Sequence, residues 1–374
     1  MRDRPAVAVV VPGGIGIDEN IPSLLDLLGR LSASFDLSIY SFSRTVPHPA
    51  LTALQCTISF PPARLKSGLL KAAYFLWLIR RDHRIKKYSI IHGFWVSPQG
   101  FTAVVAGKML HLPSVVSIPG GDITYLPSIR YGGMSDPVKR SLVRWSIRSA
   151  DRVSVLTRYQ KRTMEEKGIS CGELSIIPFG ADDSRFMYRP RPLSAEVRFI
   201  YIGNLNRVKD PFTLVKAFSI MNRRFSCSLT IIGTDTLGGR VEEYARELGV
   251  NEKIHWRGQL PHEVIPSELH SSDFLLLTSL YEGQAAVVME AYACGTVVVG
   301  TNVGLLADTG DDRVTVSAGD PDALADAVEG LLHQPGQILE ILARNRLFAE
   351  AHSAEWTYSE YKKMYGGLLQ PVGR

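Results

Sequence analysis

Two carboxylates stand close together in the otherwise uncharged segment YEGQAAVVMEAYACG, residues 281–295. Glu282 precedes a glycine, whereas Glu290 falls inside a run whose composition is typical of a buried helix face. A buried carboxylate costs free energy, on the order of several kcal/mol, unless donors hydrogen-bond it. Because one carboxylate accepts two hydroxyl donors at once, Glu290 could bind the diol of a ribose; the alternative is a structural pair with an Arg or Lys of this chain.

The residues between the two glutamates predict a helix that begins near Gln284 and ends at Gly295, a residue type that commonly terminates helices. At its start the backbone N–H groups of Gln284, Ala285 and Ala286 would lack intrahelical acceptors, and such a helix end favours an anion. Glu282 would lie in the loop just before it, within reach of a sugar hydroxyl. A phosphate at the helix start, a sugar hydroxyl on Glu282 and a ribose diol on Glu290 would together satisfy this arrangement.

Short apolar runs alternate with helical patterns along the chain, as expected for strands that helices cover on both faces of a parallel sheet. The predicted strands are Ala6–Val11, Leu37–Phe42, Ser89–Phe94, Ser114–Pro119, Arg152–Thr157, Leu174–Phe179, Val197–Gly203, Ser228–Gly233, Ile254–Gly258, Phe274–Ser279, Thr296–Thr301 and Arg313–Ala318. Pro211–Arg224 is predicted to be a helix, with proline at its start. The pattern predicts an α/β protein of two doubly wound domains in tandem, joined within the proline-containing segment Tyr188–Glu196.

Composition excludes several classes of protein. With 374 residues, of which 45% are apolar and 21% charged, the chain suits two globular domains of ordinary size. Its longest apolar stretch, Gly68–Ile79, is interrupted by Lys71 and is well short of the ~20 residues of a membrane span. The N-terminus predicts a first strand rather than a signal peptide. The four scattered cysteines indicate neither a disulfide framework nor a zinc site, so a reducing, cytoplasmic compartment is expected.

The net charge of +5 conceals an asymmetry, since residues 1–190 hold 25 basic and 14 acidic residues and residues 191–374 hold 17 and 23. The basic half could face an anionic partner, or its charge could serve only solubility. No aromatic–basic motif accompanies this charge, so nucleic acid is not expected as a partner. The most basic segment, residues 64–88, has eight basic residues and one acid. It could lie on an anionic membrane surface, or it could be a core helix with a solvated basic end.

A glycine-rich loop, VPGGIGIDEN, follows the first predicted strand. Gly14 and Gly16 begin a G-x-G-x-x-G pattern that Glu19 breaks, and no ribose-binding acid follows the second strand, so an NAD site is not expected. The glycines, Gly14 among them, either let the backbone pass close to a ligand at the carboxyl end of the strand or simply form a tight turn.

The pattern E-G-x6-E-A-x-A-x-G, which contains Glu282 and Glu290, resembles the E-x7-E signature of the retaining glycosyltransferases of family 4, which have the GT-B fold. Residues 201–218, YIGNLNRVKDPFTLVKAF, resemble the opening of that family's C-terminal domain. Lys209 falls at the position of the family lysine that binds the donor diphosphate, a role that suits a compact positive charge. Further segments, such as IIPFGADDSRF and AEWTYSEYKKMY, extend the resemblance over most of the chain.

The resemblance implies two Rossmann-like domains that face each other across a cleft. Residues 1–190 would bind the acceptor, residues 191–353 would bind the nucleotide sugar, and a C-terminal helix in residues 354–374 would pack back on the first domain. The implied activity is retaining transfer of a sugar from a nucleotide-diphosphate sugar to a glycan or lipid-linked acceptor, in polysaccharide or glycolipid biosynthesis. The implied location is the cytoplasm, including the inner face of the cytoplasmic membrane.

The resemblance also implies roles for particular residues. The donor diphosphate would contact Lys209 and the helix start at Gln284, Ala285 and Ala286. Asn204 stands where the family often has arginine, and Arg207 could supply that charge. Glu282 would orient the donor sugar as a catalytic group, and Glu290 would bind the ribose. Because these groups offset the charge of the leaving diphosphate, neither a metal nor another cofactor is expected.

The segment IPGGDITYLP resembles the family's His-Gly-x-Asp region, with Pro119 at the position of the histidine. Asp122 and the glycine backbone could serve near the donor sugar in its place, which makes Asp122 a second candidate catalytic residue. His92 could substitute, or the enzyme could be impaired. Two other functions stay open: a nucleotide-sugar epimerase of the GT-B fold, which needs no acceptor, and a non-catalytic protein that binds sugar nucleotides.

Overall fold

The computed structural model of the chain describes residues 4–17, 21–54, 56–189 and 191–370. Glu19 of the glycine-rich loop and Pro190 of the predicted linker lie outside these ranges. The chain divides into two compact units. The first comprises the chain up to Phe179 together with the chain from Ala354 onward, and the second is Gly180–Ser353.

Parallel strands form the sheet of the first unit, seven of them within the described residues. They are β1 (Ala6–Val11), β2 (Asp36–Ser41), β3 (Thr57–Ser59), β4 (Ile90–Phe94), β5 (Ser114–Ile118), β6 (Arg152–Val155) and β7 (Leu174–Ile176). Their order is β3-β2-β1-β4-β5-β6-β7, and β1 pairs with β4 in the register Val7–Ile90. The direction in which successive strands are added therefore changes between β1 and β4, as in doubly wound folds.

Helices cover both faces of this sheet. They are α1 (Pro22–Ser32), α2 (Pro49–Thr52), α3 (Gly68–Lys86), α4 (Phe101–Leu110), α5 (Pro137–Ser149) and α6 (Arg158–Glu166). Val7, Val9 and Val11 of β1 pack with α1, whereas the alternating residues Ala8 and Val10 pack with α3 and α4. Because both faces of β1 are buried, its sequence is apolar throughout rather than alternating.

The second unit repeats this architecture with its own parallel sheet. Its strands are β8 (Val197–Ile202), β9 (Cys227–Ile232), β10 (Ile254–Gly258), β11 (Phe274–Leu277), β12 (Val297–Thr301) and β13 (Thr315–Val316). Its helices are α7 (Pro211–Arg224), α8 (Arg240–Glu247), α9 (Ile265–His270), α10 (Ala286–Cys294), α11 (Gly304–Ala307), α12 (Pro321–Leu332) and α13 (Pro335–Ala351). The strand order is β10-β9-β8-β11-β12-β13, so the change of direction falls between β8 and β11.

The last helix, α14 (Ala354–Leu369), belongs to the first unit, where it packs against α1 and β4. The Tyr365 hydroxyl hydrogen-bonds with His92 Nδ1 at 2.6 Å, and the Tyr361 hydroxyl hydrogen-bonds with Ser117 Oγ at 3.0 Å. Ser117 Oγ also hydrogen-bonds with His92 Nε2 at 2.8 Å. Burial lowers the pKa of His92 to about 3, which keeps its ring neutral. The predicted α/β fold class, with a C-terminal helix that returns to the first domain, is confirmed.

Across the described ranges, none of the helices combines the length and the apolar character that crossing a bilayer requires.

Candidate functional site

The loops that follow β8 and β11 are joined at the carboxyl edge of the second sheet. The Val208 C=O accepts the Leu280 N–H at 2.7 Å, and the Lys209 C=O accepts the Thr278 hydroxyl at 2.9 Å. These loops flank the point where the strand order changes direction. Ligands of open α/β sheets bind at such points, so this edge is the candidate site.

The start of α7 fixes the backbone of Lys209. Asp210 caps the helix in the left-handed conformation, with φ 46°, and its carboxylate accepts the Thr213 hydroxyl at 2.6 Å. Pro211 follows at the first helical position, where its missing N–H costs nothing. The Lys209 N–H donates to Asn206 Oδ1 at 3.1 Å. The short polar residues before the helix therefore hold Lys209 at the sheet edge.

Lys209 and Glu282 form an ion pair through Nζ and Oε1. The Ser279 hydroxyl donates to the same carboxylate oxygen at 2.6 Å. The side chain of Glu282 is only 11% exposed, so this compensation matters for its free energy. Burial raises the pKa of Tyr201, and the nearby Glu282 charge raises it further, so this phenol stays protonated. Two predicted site residues, far apart in sequence, are thus in direct contact.

The loop after β12 packs closely against Glu282 and hydrogen-bonds with the residues beside it. Gly304 has φ +58°, and a Cβ on it would approach the Glu282 Cβ to 2.8 Å. The Leu305 N–H donates to the Gln284 C=O at 3.1 Å, and the Thr301 hydroxyl donates to the Ser279 C=O at 2.7 Å. Sequence reasoning missed this loop, although a Gly-containing segment directly after a strand was an available signal. Both its backbone conformation and its close approach require glycine at 304.

Helix α10 begins at Ala286, two residues after the predicted start at Gln284. Ala285 lies before the helix with φ 65°, a conformation that a non-glycine residue adopts at some cost in strain. The first-turn N–H groups are therefore those of Ala286 and Val287, while the Val288 N–H donates to the Ala285 C=O at 2.9 Å. Of the three predicted phosphate-binding residues, Ala286 alone stands in the first turn.

Glu290 lies in the second turn of α10, where its side chain is largely buried. Its Oε1 accepts a hydrogen bond from His262 Nε2 at 2.8 Å. His262 begins the short turn His262–Val264, and its ring lies 5.3 Å from that of Phe186. The sequence offered an Arg or Lys as the structural partner and missed this histidine. Because the carboxylate has a partner in the protein, its burial alone no longer argues for a ribose.

Asn204 and Arg207 lie on the loop that carries Lys209, and both are exposed. Asn204 Oδ1 accepts the Thr234 N–H at 3.2 Å, which ties the loop after β8 to the loop after β9. The Asn204 C=O accepts the Tyr201 hydroxyl at 3.3 Å. Asn204 therefore shapes the loop, and Arg207 adds a positive charge to the same edge.

Gly14 lies in the first unit, in the loop after β1. It has φ +72°, its C=O accepts the Ile21 N–H at 3.0 Å, and a Cβ on it would meet Ile21 Cδ1 at 2.6 Å. A left-handed turn packed against Ile21 accounts for this glycine. Of the two alternatives for Gly14, this local contact supports the tight turn.

Asp122 also belongs to the first unit, just after β5, and it is 7% exposed. Its Oδ1 accepts the Val96 N–H at 3.1 Å, while its Oδ2 is buried with no partner among the described residues. Burial raises the pKa of Asp122 to about 6, against the lowering effect of the Val96 and Ser97 amides. The carboxyl thus braces the turn after β4 from inside the fold. His92 is fully buried, and its hydrogen bonds with Tyr365 and Ser117 hold it away from solvent.

The four cysteines lie within the part of the chain that the structure describes. All four are free thiols, and Cys227 and Cys294 are buried. Within the described residues, no group of three or more His, Cys, Asp or Glu side chains could hold a metal ion.

Two family models match the chain in succession. A glycosyl transferase 4-like domain matches residues 22–180, and glycosyl transferases group 1 matches residues 189–347. The chain belongs to the group 1 glycosyl transferases. The glycogen synthase of Mycobacterium tuberculosis is 28% identical over 214 residues, which is 55% of this chain and 52% of the relative. The chain thus spans about half the length of the first curated relatives it matches.

Two solved structures share the fold of this chain. The sucrose-phosphate synthase of Thermosynechococcus elongatus has a TM-score of 0.79 and 19% identity, over 98% of this chain and 99% of that one. HepE from Anabaena, solved in complex with UDP, has a TM-score of 0.75 and 15% identity, over 97% and 100% of the two chains. At these identities the likeness establishes the fold, which is GT-B.

Proposed function

We propose that this chain is a retaining glycosyltransferase that moves a sugar from a nucleotide-diphosphate sugar to a glycan or lipid-linked acceptor. The observation that carries the proposal is the Lys209–Glu282 pair at the switch point of the second sheet, next to the first turn of α10. Membership of the group 1 family supports transfer over epimerisation or binding alone. HepE, of the same fold, was solved with UDP, and a nucleotide donor is carried over here as part of the proposal.

In this proposal Lys209 and the first turn of α10 bind the donor diphosphate. Negative charge builds on the diphosphate as its bond to the sugar breaks, and the ammonium group with the Ala286 and Val287 amides stabilises that charge. One well-placed donor of this kind contributes about 3 kcal/mol to the transition state. Arg207 adds charge at the same edge. Because fixed cations and amides can fill this role, we expect no divalent metal.

Glu282 is the proposed group that orients the donor sugar. Lys209 and the Ser279 hydroxyl both hold its Oε1, so the carboxylate is oriented before the substrate arrives. An exposed, mobile carboxylate would have to be oriented when the substrate binds, and the fixed position of Glu282 avoids that free-energy cost. Glu290 is proposed to bind the ribose together with His262, its neighbour in the structure.

The proposed acceptor site lies on the first unit, as the basic charge of residues 1–190 suits an anionic or lipid-linked acceptor. Asp122 acts there as a positioning residue, since its carboxyl holds the turn after β4. We further propose that the enzyme works in the cytoplasm, at the inner face of the membrane, in polysaccharide or glycolipid synthesis.

The test compares variants of the ion pair with a matched control. Purified protein is incubated with a panel of UDP-, GDP- and ADP-sugars, with and without acceptors, and the released nucleotide is measured. Lys209→Met and Glu282→Gln are each expected to lower turnover at least ~100-fold, because each removes a charge assigned to the transition state. Lys253→Met, which breaks the exposed Lys253–Glu196 pair in the same unit, should leave turnover unchanged.

Wild-type turnover in Lys209→Met would refute the diphosphate assignment. Conversion of the donor to an epimer without any acceptor would refute transfer as the activity.

A further inference from the structure

Three neighbouring helices of the first unit expose apolar and basic side chains together. Helix α3 packs on α4, and α4 packs on α5, so the three lie side by side on one face of the sheet. Phe101 of α4 and Trp145 of α5 have ring centroids 5.6 Å apart, so aromatic side chains of these two helices are in contact. We propose that the outer side of α3, α4 and α5, called the basic face below, docks the first unit on an anionic lipid bilayer.

Large apolar side chains protrude from the basic face. On α3 Trp77 is 56% exposed and Ile85 is 84% exposed, and on α5 Val138 is 77% exposed and Trp145 is 39% exposed. Leu69, Leu70 and Met109 are also exposed. Side chains of this size on one surface indicate an interaction site when basic residues surround them. Tryptophan in particular suits the boundary between headgroups and acyl chains, because its apolar ring contacts the acyl chains while its N–H hydrogen-bonds with water or headgroups.

The opposite side of α3 shows that the helix also serves the core. Ala72, Phe75, Leu78 and Ile79 are buried against the sheet. The two sequence-based alternatives for residues 64–88 are therefore compatible, since one face packs and the other face is free for a partner.

Positive charge accompanies the apolar residues. Arg80, Arg81 and Arg84 are exposed on α3, and α5 carries four basic residues and no acid. The two acidic residues near this face have partners within the protein. Asp82 pairs with Arg81 at 2.8 Å, and Asp136 caps α5 by accepting the Lys139 N–H at 2.9 Å. The Arg81 guanidinium also lies 5.2 Å from the Trp77 ring centroid. The face is therefore cationic, which complements phosphate headgroups.

An open cleft of about 300 Å³ lies beside α5. Its lining residues are Tyr125, Met134, Ser135, Arg140, Arg144 and Lys167. Three of the six are cationic. The Arg144 guanidinium donates to the Lys167 and Gly168 C=O groups, which leaves Arg140 and Lys167 to meet the phosphate of a lipid headgroup. Cationic residues with exposed tryptophan and leucine fit a bilayer better than nucleic acid, whose phosphates recruit basic and polar side chains and leave protruding aliphatic groups in water.

This inference rests on the proposed function in one respect, which is that the proposed function locates the enzyme at a membrane. Docking needs neither donor nor acceptor, so vesicle binding and sugar transfer are measured separately and can fail separately.

The first experiment measures co-sedimentation of the full chain with vesicles of phosphatidylglycerol and phosphatidylcholine at 3:7, and with pure phosphatidylcholine. Because each arginine near an anionic surface strengthens binding roughly 5-fold, Arg80→Gln with Arg84→Gln should weaken binding to anionic vesicles ~25-fold. Adding Arg140→Gln and Arg148→Gln should abolish it within the measurable range. The matched double variant Lys216→Gln with Arg223→Gln, on α7 of the second unit, should bind as the wild type does.

The second experiment uses vesicles that contain brominated lipid, which quenches tryptophan near the acyl chains. Quenching is expected in the wild type and should be lost in Trp77→Phe with Trp145→Phe, although Trp95, Trp256 and Trp356 remain. Unchanged vesicle binding by the four-arginine variant, or equal binding to neutral vesicles, would overturn the proposal. So would salt-sensitive binding to a duplex oligonucleotide without binding to vesicles, which would make nucleic acid the partner of this face.

Discussion

Asp122→Asn separates a bracing role for this residue from direct contact with substrate. The carboxyl group is buried, its Oδ1 accepts the Val96 N–H, and burial raises its pKa from 3.8 to about 6. An asparagine keeps a C=O acceptor for Val96 and removes the ionisable proton. The substitution therefore changes the charge in the buried site with little change in shape.

The pKa shift sets the size of the expected effect. Raising the pKa of Asp122 from 3.8 to about 6 makes the protonated form about 3 kcal/mol more favoured in the folded state than in the unfolded state. Because the folded-state pKa is raised, the stabilising contribution is fully present below the unfolded pKa near 4 and is lost as the pH rises through about 6. Between pH 4.5 and 7.5 the free energy of unfolding of the wild type should fall by about 2 kcal/mol relative to Asp122→Asn.

The assay is urea unfolding of both proteins at several pH values in this window, with turnover measured at pH 7.5. Other titrating groups are common to both chains, so their contributions cancel in the difference between the two curves. We expect that difference to grow with pH while turnover stays within ~10-fold of the wild type, as a positioning residue allows. Parallel stability curves would refute the buried-charge argument. A turnover loss of ~100-fold with an unchanged fold would instead return Asp122 to the catalytic residues.

Three further predictions concern two contacts that the fold creates and the metal dependence of turnover. His262→Leu should lower the free energy of unfolding by about 1–3 kcal/mol, because the Glu290 carboxylate loses its donor. His262→Gln keeps a donor and should lower the free energy of unfolding by less. Equal losses of stability in the two variants, measured by urea unfolding, would contradict this hydrogen bond. Tyr365→Phe should cost about 1–2 kcal/mol, since His92 Nδ1 loses its partner inside the first unit; an unchanged urea midpoint would contradict that role. A chelator should leave donor turnover unchanged, and a rate that depends on added Mg²⁺ would contradict the metal-free mechanism.

Periodicity and composition determined most of the secondary structure without tertiary information. Ala6–Val11 and Pro211–Arg224 have the same bounds in the structure as in the sequence-based prediction. Both carry strong local signals, an apolar β-branched run in the first and a proline start with an amphipathic repeat in the second. Local signals were weaker at the sheet edges. The strand Thr57–Ser59 was missed, and the predicted Arg313–Ala318 pairs only over Thr315–Val316, because an edge strand is held by one neighbour and is short.

The chemistry-bearing residue types were also readable from the sequence. Glu282 and Glu290 stand out as charges in an otherwise uncharged, largely apolar segment, whereas Lys209 was identified through its resemblance to the family's diphosphate-binding lysine. Such positions follow from the order of strands and loops along the chain. The sequence therefore determined which side chains to examine and the class of ligand to expect.

Only the tertiary structure decided how those charges are compensated. Lys209 and Glu282 are 73 residues apart and meet because β8 and β11 are neighbours in the sheet. His262 reaches Glu290 from the turn after β10, a contact that no local pattern encodes. The burial of Asp122 and its hydrogen bond from Val96 likewise depend on segments that are distant in sequence, while its catalytic role stays a prediction. The physical reason is that desolvation and pairing energies depend on neighbours in space, whereas strand and helix propensities depend on neighbours along the chain.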